Sequence, residues 1–131
     1  MGFLTRDVML EAENYAHAKQ MLTKTELLAP AYFILGGLVP GDACVITRSR
    51  TEAVDVWEMA DRWFLLETNY DHWKDPLVID DRRTPGMKCM NKIGSDGMGF
   101  KGLFNVLSTR SVLNKVGVGI CIAHLVGRFF S

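Results

Sequence analysis

The sequence predicts an α+β fold: one helix, then an antiparallel meander of about four strands, then two helices. Three observations carry this. Apolar residues recur at helical spacing between residues 5 and 22. Four short runs rich in β-branched and aromatic residues follow between residues 31 and 68, separated by small polar turns. Thr84-Pro85 then opens a helical pattern that Gly94 to Gly99 interrupt, and a second one resumes at Phe100. Strands grouped between helices, rather than alternating with them, are the mark of α+β.

In the first helix Val8, Ala12, Tyr15, Ala18 and Leu22 share a face, while Glu13, His17 and Gln20 fall opposite. His17 stands four residues after Glu13 and reads as a solvated side chain. Ala31 to Leu35 is the first strand, ending at Gly36-Gly37, and Pro40-Gly41-Asp42 supplies the turn. Ala43 to Arg48, Val54 to Met59 and Arg62 to Thr68 give the other three strands. Residues 70–81 read as a long loop containing Pro76. Thr84 fits an N-cap with Pro85 at the first helical position. Met87, Met90, Asn91 and Ile93 continue that helix, and Phe100, Leu103, Phe104 and Leu107 stripe the last one. All of these are assigned to packing, which is the usual task of a Met-rich face. A four-stranded sheet in so short a chain should have one covered face, leaving apolar surface open to a partner or to more of the same protein.

Composition bounds the function. The 131 residues make about one domain, 48% hydrophobic, and 15 acidic residues balance 15 basic ones. No global field favours nucleic acid or an anionic surface, so nucleic-acid binding is excluded. Cys44, Cys89 and Cys121 are odd in number, with no C-x-x-C pair and no His at ligand spacing. They read as three separate thiols, Cys44 in the core. Neither a disulfide framework nor a metal site is expected, and no cofactor is called for. Met1 to Arg6 is too short in apolar length for a signal peptide, and Arg6 breaks the myristoylation pattern. Gly117 to Gly127 is apolar but too short and glycine-rich for a transmembrane span.

Chemistry concentrates in residues 67–83. Asn69 falls where the fourth apolar run passes into loop, a place held by a rigid element yet open to solvent. A neutral carboxamide there can donate to a developing oxyanion without adding charge. Further on, Asp80-Asp81-Arg82-Arg83 places guanidiniums beside carboxylates, which can lock one another through bidentate pairs and leave one Arg aimed into a site. No paired nucleophile and base completes this arrangement: Ser108 and Thr109 have no His near in sequence, and Cys89 has no evident base.

Several ordered runs resemble one family. They are Gly2 to Arg6, Ala29 to Gly37, Cys44 to Arg48, Thr68 to Lys74, Asp80 to Pro85 and Val106 to Thr109. Together they resemble the β-subunit of the acid ceramidase family, which is shared with the N-acylethanolamine-hydrolysing acid amidases. The resemblance implies a partial N-terminal-nucleophile hydrolase α/β/β/α sandwich over residues 1–115, truncated at both ends, with residues 116–131 a divergent apolar tail. It implies a lysosomal enzyme that hydrolyses the amide of ceramide or another N-acyl lipid, using an N-terminal Cys whose own α-amine, with a pKa near about 8, is the base. Asn69 then corresponds to the family's oxyanion-binding Asn, and Arg82 to the Arg that orders the nucleophile's surroundings. Cys44, Cys89 and Cys121 lie outside the family's nucleophile context. The catalytic Cys, the α-subunit and the upstream β-subunit segment are therefore expected to be missing, and the isolated chain to be inactive. Two other readings follow from the same residues: an N-acylethanolamine amidase segment, and a non-catalytic segment that associates with the intact enzyme.

Overall fold

A computed structural model of the chain describes residues 2–110, 112, 113, 122 and 123. The described chain gathers into two compact units, one centred on Met1–Leu65 and one on Leu66–Ile122. The order of elements is α+β, as the sequence predicts.

The first unit begins with α1 (Gly2–Glu11) and α2 (Tyr15–Lys24), where the periodicity predicts a single helix. Asn14 makes the break. Its backbone is extended, and its side-chain oxygen accepts the His17 N–H at 2.9 Å, capping α2. His17 Nδ1 in turn accepts the Glu13 N–H at 3.4 Å, in a bond that lies exposed to solvent.

Strands β1 (Ala31–Gly36), β2 (Ala43–Arg48) and β3 (Ala53–Glu58) form an antiparallel sheet in the order β1-β2-β3. Phe33 faces Ile46 across one pairing, and Ile46 faces Val56 across the next. Every residue of β2 is buried. Phe33, Cys44 and Ile46 pack on Val8, Ala18, Leu22 and Leu27 on one face. Ala43 and Val45 meet Met59 and Leu65 on the other, beside Ile34 and Trp57. The open second face that a short chain predicts is thus closed at the sheet's centre. Burying both faces of a strand explains why Ala43 to Ile46 reads as continuous apolar sequence rather than alternation. The register shifts between Thr47 and Arg48, which leaves Val54 exposed as an extra residue on β3.

Arg48, only 2% exposed, ends β2 against α2. Its Nη2 donates to the Thr25 carbonyl at 2.6 Å and its Nη1 to the Leu22 carbonyl. These lie at the helix C-terminus, where main-chain carbonyls lack intrahelical partners.

The fourth predicted run does not join this sheet. After Met59 donates its N–H to the Ala43 carbonyl, the chain turns at Ala60, whose φ of 48° is left-handed. Of residues 62–68 only Leu65–Leu66 form a strand, β4, and it pairs with β5 (Ile122–Ala123).

In the second unit, a 3₁₀ turn at Val78–Asp80 precedes α3 (Arg83–Ile93) and α4 (Phe100–Ser108). Helix α3 starts two residues earlier than Thr84-Pro85 predicts. Arg82 is its N-cap but makes no capping bond through its side chain, and Asp81 Oδ1 accepts the Thr84 N–H at 2.9 Å instead. Pro85 is tolerated because it still lies in the first turn. Met90 is fully buried, in line with a packing role, and Gly86 lies against Leu66, where a Cβ would sit 2.7 Å from Leu66 Cδ2. In α4 the packing face is a correction. Gly102 and Val106 are buried, whereas Phe100 and Phe104 are exposed. Gly102 permits close approach to the Gly97 carbonyl and Met98, so the small side of the helix faces inward.

Cys44 is a buried free thiol and Cys89 a half-buried one, 3.4 Å from Thr109 Oγ1. Cys121 and the predicted tail, apart from Ile122 and Ala123, lie outside the described residues. Among the described residues no helix is long and apolar enough to cross a membrane.

Candidate active site

The site grows from the end of β4. Leu66 and Glu67 are both buried, and Glu67 Oε1 accepts the Thr68 N–H at 2.8 Å while Oε2 has no partner. Burial pushes the Glu67 carboxyl up from 4.5 to about 7, further than the Thr68 N–H and the nearby Arg83 charge pull it down. A carboxyl with that environment is protonated in acid and ionised at alkaline pH.

Two residues on, Asn69 emerges at the surface. The loop doubles back, and the 3₁₀ turn, closed by the Asp80 N–H on the Leu77 carbonyl at 2.9 Å, returns Asp80 to it. Asn69 Nδ2 donates to Asp80 Oδ2 at 2.6 Å. Arg82 Nη2 lies 3.3 Å from the same oxygen and 3.2 Å from Oδ1. The structure therefore brings together the two residues singled out from sequence, Asn69 and Arg82, through the carboxylate between them. The Arg82 side chain is 14% exposed and that of Asp80 43%.

The expected carboxylate pairing holds for one arginine only. Arg82 straddles the Asp80 carboxylate with a single nitrogen rather than a two-pronged fork. Arg83 turns to main chain: Nη2 donates to the carbonyls of Tyr70 at 2.6 Å and Asp71 at 2.9 Å, and Nη1 to that of Lys74 at 2.7 Å. A longer 3.4 Å contact reaches the His72 carbonyl. Its five donors in a rigid plane suit several carbonyls presented by one turn. Lys74 and Asp71 add an ion pair at 2.5 Å.

Beside Arg82 opens a cleft of about 400 Å³ lined by Val78, Ile79, Asp80, Asp81, Arg82, Arg110 and Leu113. The surface it presents is mainly polar and charged, a lining suited to a polar group. Glu67, Arg110 and Leu113 carry no assignment in the sequence reading. Glu67 had a signal, as a charge closing the run Trp63-Phe64-Leu65-Leu66; Arg110 had none. A carboxamide and a guanidinium can donate to a developing oxyanion, and a carboxylate can orient those donors. They include no thiol, hydroxyl or amine to attack a carbonyl. Among the described residues no group of three or more His, Cys, Asp or Glu is placed to hold a metal ion.

No protein-family model matches the sequence. Individual proteins do. The acid ceramidases of Homo sapiens and Macaca fascicularis are each 50% identical to it over 121 residues, 90% of this chain. The chain is thus similar to acid ceramidases over nearly its whole length. It spans 31% of the length of those relatives. The mid-chain segment that holds Asn69, Asp80 and Arg82 falls within a match of that extent. A Caenorhabditis elegans N-acylethanolamine-hydrolysing acid amidase ortholog shares the fold, with a TM-score of 0.72 and 34% identity. That match covers 86% of this chain and 49% of the amidase.

Proposed function

We propose that this chain carries the oxyanion-stabilising half of an amide-hydrolase site acting on N-acyl lipids, with ceramide as the substrate. The observation that carries this reading is the Asn69–Asp80–Arg82 cluster in a chain 50% identical to acid ceramidases. In the reaction a Cys thiolate adds to the amide carbonyl. Asn69 donates its remaining N–H to the oxygen as it gains charge, and Arg82 orders the nucleophile's surroundings. The C–N bond breaks, the amine leaves with a proton, and water hydrolyses the thioester to the free fatty acid. None of the three clustered side chains is the nucleophile, so the family's N-terminal Cys must supply the attack. A lysosomal setting accords with Glu67, which is neutral in its buried place at acid pH.

Ceramide is favoured over N-acylethanolamines because the ceramidases match at 50% identity and the amidase at 34%. The test grafts residues 2–113 into the human acid ceramidase in place of the matching segment. Fatty-acid release is then measured from labelled ceramide and labelled N-acylethanolamine at acid pH. Ceramide turnover is expected to exceed that of N-acylethanolamine, with Asn69→Ala lowering kcat about 100-fold or more. A folded chimera that hydrolyses neither lipid would overturn the reading, and one preferring N-acylethanolamine would transfer the substrate to that class. The 131-residue chain alone should release no fatty acid above a blank.

A further inference from the structure

We propose that Asp80 is a positioning residue that fixes the orientation of both Asn69 and Arg82. The proposal rests on the amide-hydrolase reading for the catalytic meaning of those two residues, but its geometry stands without it.

A carboxylate can only accept hydrogen bonds, whereas a carboxamide has one donating and one accepting edge. Facing Asp80 Oδ2 at 2.6 Å, Asn69 must turn its nitrogen inward, because its own oxygen would be repelled there. One amide N–H is thereby engaged and the second keeps a defined direction, free to meet a developing oxyanion. Without the carboxylate, an Asn at the surface has no reason to prefer either edge. The same Asp80 holds Arg82 through Nη2, while Arg82 Nε is buried with no partner of its own. One face of the guanidinium is thus engaged and the rest of its plane has a fixed direction. Asp80 is itself held by the 3₁₀ turn, through its N–H on the Leu77 carbonyl.

The energetics separate positioning from support. Asp80 is substantially exposed, and exposed pairs contribute little to stability. Its loss should therefore leave the fold in place while releasing Asn69.

The experiment uses the 131-residue chain labelled with ¹⁵N and follows the Asn69 side-chain NH₂ by NMR in the native chain and in Asp80→Ala, Asp80→Asn and Asp80→Glu. In the native chain the two protons are expected at well-separated shifts, with one protected from exchange. In Asp80→Ala the separation should collapse and the protection fall about tenfold, at unchanged melting temperature and unchanged distant backbone resonances. Asp80→Glu should restore part of both. Unaltered Asn69 resonances in a folded Asp80→Ala chain would overturn the proposal. So would loss of the folded spectrum in both Asp80→Ala and the isosteric Asp80→Asn, which would make Asp80 a support of the fold. No turnover enters this readout. Asn69 resonances that respond to Asp80 beside an inactive chimera would refute the catalytic reading and leave the positioning role standing.

Discussion

Arg82 and Arg83 are adjacent in the chain and bind opposite kinds of acceptor: Arg82 straddles the Asp80 carboxylate, and Arg83 gathers the carbonyls of Tyr70, Asp71 and Lys74. The first arrangement orients side chains that face the cleft. The second shapes the loop that brings Asp80 back to Asn69. Substituting the two arginines should therefore have different consequences, although they look alike in sequence.

Arg83→Lys keeps the charge but replaces a planar fork with a point donor. At least two of its carbonyl bonds should be lost, destabilising the chain by about 1–3 kcal/mol. Backbone amides of residues 70–74 should exchange faster and tryptic cleavage after Lys74 should accelerate, whereas the α1–α2 amides stay as protected as before. Hydrogen exchange and limited proteolysis check this; an unchanged cleavage rate would rule it out.

Glu67 predicts a pH dependence. Its folded pKa, about 7, lies above the ordinary 4.5. The folded state therefore holds the proton more tightly than the unfolded state. The contribution is fully present below pH 4.5 and is lost as pH rises through 7. Stability should fall by on the order of 2 kcal/mol between those limits. Glu67→Gln removes the titration, so its melting temperature should equal the native one near pH 4.5 and exceed it at pH 8. Melting curves across that range decide the matter, and parallel native and variant profiles would count against it.

Arg48→Met tests the link between β2 and α2. The methionine keeps much of the stem's volume but leaves the carbonyls of Leu22 and Thr25 without their donors. Relief of the buried charge works the other way, since burial already lowers the Arg48 pKa. Two unpaired carbonyls outweigh that relief, and a net loss of about 2 kcal/mol is expected in urea denaturation.

Ala60→Gly should act in the opposite sense. The left-handed φ of 48° costs an L-residue about 1 kcal/mol that glycine escapes, and Ala60 is exposed with no packing to lose. Glycine's greater unfolded-state freedom offsets part of the gain, so a stabilisation of roughly 0.5 kcal/mol should appear in the same assay.

What the sequence made legible was local. Runs such as Cys44 to Ile46, the loop from Tyr70 to Asp81 and the glycines after Ile93 are written in side-chain type and turn chemistry. Other features depend on competition that a one-dimensional pattern does not record. Asn14 ends a helical stripe that otherwise continues unbroken, because its side chain offers a main-chain N–H a better acceptor than the next turn does. The run Trp63 to Leu66 has the composition of a core strand, yet the turn at Ala60 directs it away from β3. In α4 the large residues suggested the inward face, whereas close approach at Gly102 selected the other. The candidate site was half visible. Asn69 and Arg82 could be named, but which carboxylate joins them depends on the 3₁₀ turn, and a run of two Asp and two Arg admits every pairing.

The hydrogen bonds that shape the site connect residues close in sequence. Asn69 and Asp80 are 11 positions apart, Asp80 and Arg82 two, and Arg83 reaches back 13 to Tyr70. Closing loops of that size takes on the order of 10–100 ns and little entropy. The local contact order of residues 67–83 is accordingly low, and this geometry can be rebuilt soon after any opening event, without waiting for long-range strand pairing.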